Sequence, residues 1–141
     1  MRVMILVKAT ADSEAGLMPS LELLQAMGQF NTDLIQAGIL LSGDGLHPSA
    51  RGRRVAFDGP ERSVTEGPFG DTDGLLAGFW IWNVADLDEA VAWVKRCPNP
   101  MPGDSDIEIR QIFSAEDFGA EFTPEARAQE ERVREQAKKN A

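Results

Sequence analysis

Two stretches of this chain are apolar on both sides, and they constrain its fold more than any other feature. They span residues 2–8 and 75–84. Because side chains of a strand alternate between its two faces, each stretch predicts a strand whose two faces must both be buried against other parts of the protein. The alternating sets are Val3, Ile5 and Val7 against Met4 and Leu6, then Leu75, Ala77, Phe79 and Ile81 against Leu76, Gly78, Trp80, Trp82 and Val84.

Two amphipathic helices are predicted from spacing and capping residues. Helical periodicity over about 20–37 places Ser20 at the N-cap and Gly38 just beyond the end. Asp86 and Glu89 have the spacing of a capping box before a second helix. Its predicted buried stripe is Leu87, Ala90, Val91, Val94 and Cys97. The other predicted elements are a loop over 9–19, a strand over 39–42, a hairpin of strands 51–57 and 62–65 around a turn at 58–61, a strand over 107–113 and a charged helix over 123–140.

This order reduces to a ferredoxin-like β-α-β-β-α-β arrangement with an inserted hairpin, which is an α+β fold. Two helices cover only one face of such a sheet, so the second apolar face needs another cover. A second copy of the same sheet would supply it. We therefore predict a homodimer paired through its sheet faces, a dimeric α/β barrel.

Composition and charge exclude several classes of protein. The net charge of −9 argues against nucleic-acid binding, which needs a basic surface. The sequence has no apolar run near the roughly 18 residues that cross a bilayer, so we expect no membrane association. A single cysteine, Cys97, rules out an intramolecular disulfide and favours the cytoplasm. We expect Cys97 to be buried at a helix end, and we predict no cofactor.

Residues 66–72, Glu-Gly-Pro-Phe-Gly-Asp-Thr, resemble the signature of the DGPF branch of the YCII-related family, whose usual form is Asp-Gly-Pro-Phe-Ala-Glu-Thr-Lys-Glu. Residues 85–90, 96–98 and 107–110 resemble other stretches of that family. The resemblance implies a dimeric α/β barrel without an agreed reaction. We expect the family domain to occupy residues 1–118 and a charged helical tail to occupy 119–141.

The chain departs from the family pattern at positions that matter for chemistry. Glu66 replaces the usual aspartate, and the lysine that follows the signature threonine is absent. In the YCII branch proper, a His–Asp pair near the first helix is proposed as catalytic. Matching its glycine to Gly38 places Met27 at the histidine and Gln36 at the aspartate, so that pair is absent here.

The candidate catalytic residues are His47, Asp71 and Glu66. His47 is the chain's single histidine, and an imidazole titrates in the range needed for general acid or base catalysis. The alternative for His47 is a position on a polar loop without a chemical role. The alternative for the acidic segment is a turn whose residues are there for backbone conformation while Phe69 fills the core. The carboxylates lack the period of an EF-hand loop, and one histidine with one cysteine supplies few soft ligands. We predict no metal site.

The candidate ligand-binding residues are basic and aromatic. Arg51 and Arg53 share a face by the period of two, and Arg110 is predicted to join them in binding a carboxylate or phosphate. The alternative is a set of solvated charges on an edge strand. The set is completed by Phe69, Thr72, Trp80 and Trp82, although the tryptophans also suit core and interface packing.

Three functions follow from these features. The first is a dimer that binds a small anionic molecule between the Gly-Pro-Phe loop and the sheet, with proton-transfer chemistry at His47. The second is a non-enzymatic accessory or regulatory protein linked to sigma-factor signalling, which the family resemblance suggests. The third, by analogy of fold alone, is a small monooxygenase.

Overall fold

A computed structural model describes residues 1–140 in two compact units, Met1–Gln111 and a C-terminal unit that begins at Ile112. The strands are β1 (Arg2–Lys8), β2 (Leu40–Gly45), β3 (Arg53–Asp58), β4 (Glu61–Glu66), β5 (Leu76–Asn83) and β6 (Ile107–Gln111). The α-helices are α1 (Ala11–Glu14), α2 (Leu21–Gln36), α3 (Leu87–Arg96) and α4 (Pro124–Lys138). The predicted α+β class is confirmed. Within residues 1–140, no helix is long and apolar enough to cross a membrane.

The first unit is built on a four-stranded sheet in the order β2-β5-β1-β6. Every neighbouring pair in this sheet is antiparallel. The predicted strand over 39–42 is longer than expected, because β2 continues through the glycine-rich segment that follows it. The predicted strand over 75–84 is confirmed as β5, which lies in the centre beside β1.

The helices α2 and α3 pack on one face of this sheet. Val3, Ile5 and Trp82 are 0% exposed and meet Phe30 of α2 and Ala90 of α3 in one apolar cluster. Burying each large side chain contributes roughly 1.5–3 kcal/mol. The indole Nε1 of Trp82 is buried without a hydrogen-bond partner among the described residues. An unsatisfied donor of this kind costs about 1–3 kcal/mol.

The helix termini follow their capping residues. The Ser20 side chain accepts a hydrogen bond from the Leu23 amide at 3.1 Å, and Gly38 has φ 75° beyond the end of α2. The Asp86 carboxylate accepts from the Glu89 amide at 2.8 Å at the start of α3. Both predicted helix starts are confirmed.

Two predictions about helices were wrong. Residues 9–19 do not form a simple loop, because the Thr10 side chain caps the short helix α1. On α3, Leu87 and Val91 are exposed and Trp93 packs against the core instead. The predicted stripe is confirmed at Ala90, Val94 and Cys97, which pack in or against the core. It was wrong at Leu87 and Val91, because helical spacing alone does not fix where the buried side of the helix ends.

The other face of the sheet is apolar and half-exposed. Leu6 pairs with Phe79, and Met4 pairs with Ile81, so these four side chains form a patch across the two central strands. Edge-strand partners are polar: Asp44 lies beside Phe79, while Glu108 and Arg110 lie beside Leu6 and Met4. We call these four apolar residues the open-face patch. Neither α2 nor α3 covers it.

The strands β3 and β4 form a separate two-stranded hairpin whose residues are all exposed. Asp58 pairs with Glu61, so Gly59 and Pro60 form the turn that was predicted at this point. Gly59 has φ 56°, and proline fixes its own φ near −65°, so the turn is type II′.

The C-terminal unit contains the charged helix α4. Thr123 caps its start and Pro124 occupies the first turn, as predicted. The predicted Glu130–Arg134 ion pair is present at 2.8 Å, whereas Glu135 pairs with Lys138 and not with Lys139. Three phenylalanine rings precede the helix in a row, with centroids 5.3 and 5.2 Å apart, at Phe113, Phe118 and Phe122. The domain boundary predicted after residue 118 lies inside this unit.

Candidate functional site

The Gly-Pro-Phe loop is fixed by hydrogen bonds to the turn that precedes β3. The Ser49 hydroxyl accepts from the Phe69 amide at 3.2 Å and donates to one carboxylate oxygen of Glu14. The other Glu14 oxygen accepts from the Ser49 amide at 2.8 Å. The Gly67 amide donates to the Gly52 carbonyl at 3.1 Å. Two distant segments, α1 and the loop, therefore hold the same turn.

Two residues of the loop have clear packing roles. A Cβ atom added at Gly67 would lie 1.7 Å from the Ser49 carbonyl oxygen, so only glycine fits there. The Phe69 ring is half-buried and lies 4.1 Å beneath the Arg54 guanidinium. Phe69 does not belong to the buried cluster of the first unit, so the expectation that it fills the core was wrong.

The candidate catalytic residues have other polar partners in the structure. His47 is exposed, and its ring nitrogens contact the Arg51 guanidinium at 3.2 and 3.3 Å. In the described part of the chain, no hydrogen bond joins His47 to Asp71 or Glu66. Asp71 instead accepts from the Asp73 amide at 3.1 Å and caps the short turn that contains Thr72. No three potential metal ligands cluster within residues 1–140.

The three candidate arginines are also separate. Arg51 ends a 3₁₀ turn and does not lie on a strand with Arg53, so the period-two argument for a shared face was wrong. Arg53 lies 3.6 Å from Glu66, and Arg110 lies 3.2 Å from Glu108 on β6. Arg51 and Arg53 follow β2, whereas Arg110 is on β6. These two strands lie at opposite edges of the sheet. All three guanidinium groups are exposed.

Cys97 follows the last residue of α3, and its thiol donates to the Pro98 carbonyl at 3.2 Å. Burial raises the pKa of this thiol to about 11. Because the thiolate is the reactive form, Cys97 is a poor nucleophile at neutral pH.

A cavity of about 380 Å³ lies between α2 and the strands β2 and β5. This volume falls in the range of small-molecule sites. The lining is mainly apolar and consists of Val7, Pro19, Leu23, Leu24, Met27, Asn31, Gly43, Asp44, Gly45, Ala77, Gly78, Phe79, Trp80, Pro100 and Met101. Among the site residues predicted from sequence, only Trp80 belongs to this set.

Glycines create the floor of the cavity. Gly43 pairs with Trp80 and Gly45 pairs with Gly78, so all three glycines lie on the helix-covered face of the sheet. A Cβ atom at Gly43 would lie 2.4 Å from the Trp80 ring, whereas one at Gly45 would meet nothing within 4 Å. The missing side chain at Gly43 makes room for the Trp80 indole, and the missing side chain at Gly45 leaves empty space in the cavity.

Asn31 supplies the polar side chain of the cavity. Asn31 on α2 is half-buried, and its Oδ1 accepts from the Trp80 Nε1 at 2.9 Å. Asp44 pairs with Phe79, so its exposed side chain lies on the opposite, open face of the sheet. Gly43, Asp44 and Gly45 have the alternating pattern of a strand that carries no side chains on one face, which is the sequence signal for this cavity. The predicted strand ended at residue 42, so the prediction missed this signal.

A model of the YCII-related domain matches residues 1–116. The chain belongs to the YCII-related family. It is also similar to an uncharacterized protein of Rhizobium meliloti (strain 1021), with 30% identity over 78 residues that cover 55% of this chain. The match spans 63% of that relative, less than two thirds of its length.

The cavity of this YCII-related chain is lined by Met27, which the family resemblance matches to the histidine proposed as catalytic in the YCII branch. Gln36, at the position of the aspartate, is exposed and lies outside the cavity lining. A thioether neither donates nor accepts a proton at neutral pH, so the substitution makes this wall of the cavity more apolar.

Proposed function

We propose that this YCII-related protein binds a small, largely apolar molecule in the cavity between α2 and β2, without proton-transfer catalysis at His47. The single observation that carries the proposal is the glycine-floored cavity of about 380 Å³. Ligand sites are typically apolar concavities with a few polar groups that set orientation. Asn31 is such a group here.

The arrangement of titratable groups favours binding over catalysis. General acid–base chemistry needs a proton donor or acceptor within hydrogen-bond reach of the ligand. Of the described residues that line the cavity, the one acidic residue is Asp44, whose pairing with Phe79 puts its side chain on the opposite face of the sheet. The family resemblance matches Met27 to the histidine proposed as catalytic in the YCII branch, and a thioether cannot replace its proton chemistry. His47 contacts Arg51 outside the cavity lining. A binding protein without chemistry corresponds to the accessory alternative; its link to sigma-factor signalling stays a prediction.

The same proposal includes a homodimer of ferredoxin-like subunits that pair through the open-face patch. The sheet order β2-β5-β1-β6 supports the ferredoxin-like arrangement. The half-exposed Leu6, Met4, Phe79 and Ile81 support pairing, because a contiguous apolar patch on a sheet is a common site of self-association. Membership of the DGPF branch is part of the proposal and is supported by the docked Gly67–Phe69 loop.

The residues that line the cavity also bear on the charge of the ligand. The anionic ligand predicted from Arg51, Arg53 and Arg110 stays a prediction, because none of those residues lines the cavity. The described residues that do line it include no lysine, arginine or histidine. We therefore propose a neutral ligand for this cavity.

The substitution Gly45→Val tests the cavity directly. A Cβ at this position meets nothing within 4 Å, and valine suits a strand, so the side chain should fill the cavity while the fold persists. We expect binding of the apolar probe 2-ethylnaphthalene, followed by tryptophan fluorescence, to fall at least about tenfold, the equivalent of roughly 1.4 kcal/mol.

The matched control is Gly103→Val, at a loop glycine outside the cavity where a Cβ also meets nothing within 4 Å. It should leave probe binding unchanged. Equal binding by the native chain and Gly45→Val, with both folded by circular dichroism, would reject the cavity as the site.

A further inference from the structure

We propose that Asn31 is the specificity-determining residue of this cavity and selects a neutral, largely apolar ligand that carries a carbonyl-type hydrogen-bond acceptor. This inference rests on the proposed binding function and assigns the chemical class of its ligand. It depends on the Asn31–Trp80 hydrogen bond and on the charges around the cavity.

The Trp80 indole determines the orientation of the Asn31 carboxamide. An indole N–H is a donor only, so the Asn31 atom that lies 2.9 Å from Trp80 Nε1 must be the oxygen. The opposite end of the carboxamide is then the NH₂ group, which has two donors. Within residues 1–140, no side-chain or backbone acceptor pairs with it.

The position of Asn31 makes this NH₂ group available to a ligand. Asn31 lines the cavity beside Met27 and Leu24 of the same helix, and it is half-buried. A donor at an apolar wall gains most from an acceptor that arrives with the ligand, because an unpaired polar group in such a place is costly. Trp80 also restricts the rotation of the carboxamide, so the donor is already oriented before binding.

The charges around the cavity exclude a carboxylate as the preferred acceptor. None of the described lining residues is a lysine, arginine or histidine. An anion would therefore lose its hydration without gaining a cationic partner. A neutral carbonyl pairs with the Asn31 donors without this cost.

Three probes of nearly the same shape separate these possibilities: 2-acetylnaphthalene, 2-ethylnaphthalene and 2-naphthoate. They present a ketone, a hydrocarbon and an anion on one ring system. Trp80 lines the cavity, so tryptophan fluorescence can report the Kd of each. We expect the ketone to bind roughly fivefold tighter than the hydrocarbon, the equivalent of about one hydrogen bond, and the anion to bind most weakly.

Asn31→Asp tests the assignment to this residue. The carboxylate can still accept from Trp80 Nε1, but the ligand-facing NH₂ is lost, so the preference for ketone over hydrocarbon should disappear or reverse. Gln25→Glu is the matched control, because it makes the same change from amide to carboxylate at an exposed position of α2 outside the cavity lining. It should keep the preference.

The outcomes distinguish this inference from the binding function on which it rests. If 2-ethylnaphthalene binds and Gly45→Val blocks it, but the ketone has no advantage, the role of Asn31 is rejected and the cavity remains the site. If 2-naphthoate binds tightest, or if Asn31→Asp keeps the ketone preference, the role of Asn31 is also rejected. If none of the probes binds, both proposals fail.

Discussion

At the residue scale, the glycines differ in what a side chain would meet. At Gly67 a Cβ would overlap a backbone carbonyl, and at Gly43 it would overlap the Trp80 ring. At Gly45 it would enter open space. The first two glycines are therefore required for packing, whereas the third leaves room for a ligand. The Gly-Pro-Phe signature accordingly has a structural role at its glycine.

Gly67→Ala should destabilise the protein by about 2 kcal/mol or more, because the methyl group cannot fit beside the Ser49 carbonyl unless the backbone moves. The measurement is the midpoint of urea unfolding. Gly103→Ala is the control, and it should change the free energy of unfolding by less than about 0.5 kcal/mol. Equal stability of the two variants would show that the loop docks differently.

At the element scale, the sequence was most informative where a local interaction decides the structure. Ser20 and Asp86 predicted helix starts because an N-cap acts within one turn. The boundary of β2 was missed because glycine is typical of loops, whereas pairing with β5 holds these glycines in a strand. The cavity was missed for the same reason: it forms only when α2 lies over glycines from two strands.

The sequence predicted site residues less well, because their distances depend on tertiary packing. The distance between His47 and Asp71 depends on how their two segments fold, and a sequence pattern does not determine it. The prediction of a shared arginine face failed because Arg51 belongs to a 3₁₀ turn. Asn31 gave no signal of its own; its importance follows from the bond to Trp80, which is 49 positions away along the chain.

The hairpin β3–β4 is the element with the least packing, because both of its strands are exposed. Isolated two-stranded hairpins are marginally stable. We expect its amides to exchange with deuterium faster than those of β1 and β5, whose central position in the sheet protects them. Mass spectrometry of peptides from the two regions measures this difference. Equal protection would mean that a second molecule covers the hairpin.

At the scale of the whole molecule, the placement of the tryptophans changes how dimerisation must be tested. The sequence pattern alone is compatible with Trp80 or Trp82 at the dimer interface. Both lie on the helix-covered face, at 8% and 0% exposure. A charge at either position would disrupt the core of the subunit and not its pairing. The informative positions are those of the open-face patch, which the fold of one subunit leaves half-exposed.

Ile81→Asp should convert the proposed dimer into a folded monomer. The charge would be buried without a partner in a paired sheet face, whereas it remains partly hydrated in a single subunit. Light scattering should give about twice the 15.4 kDa subunit mass for the native chain and 15.4 kDa for the variant. Leu21→Asp is the control, because Leu21 is 70% exposed at the start of α2, outside the patch. It should remain dimeric. A native chain that scatters as a monomer at micromolar concentration would reject the dimer and leave the cavity as a property of the single subunit.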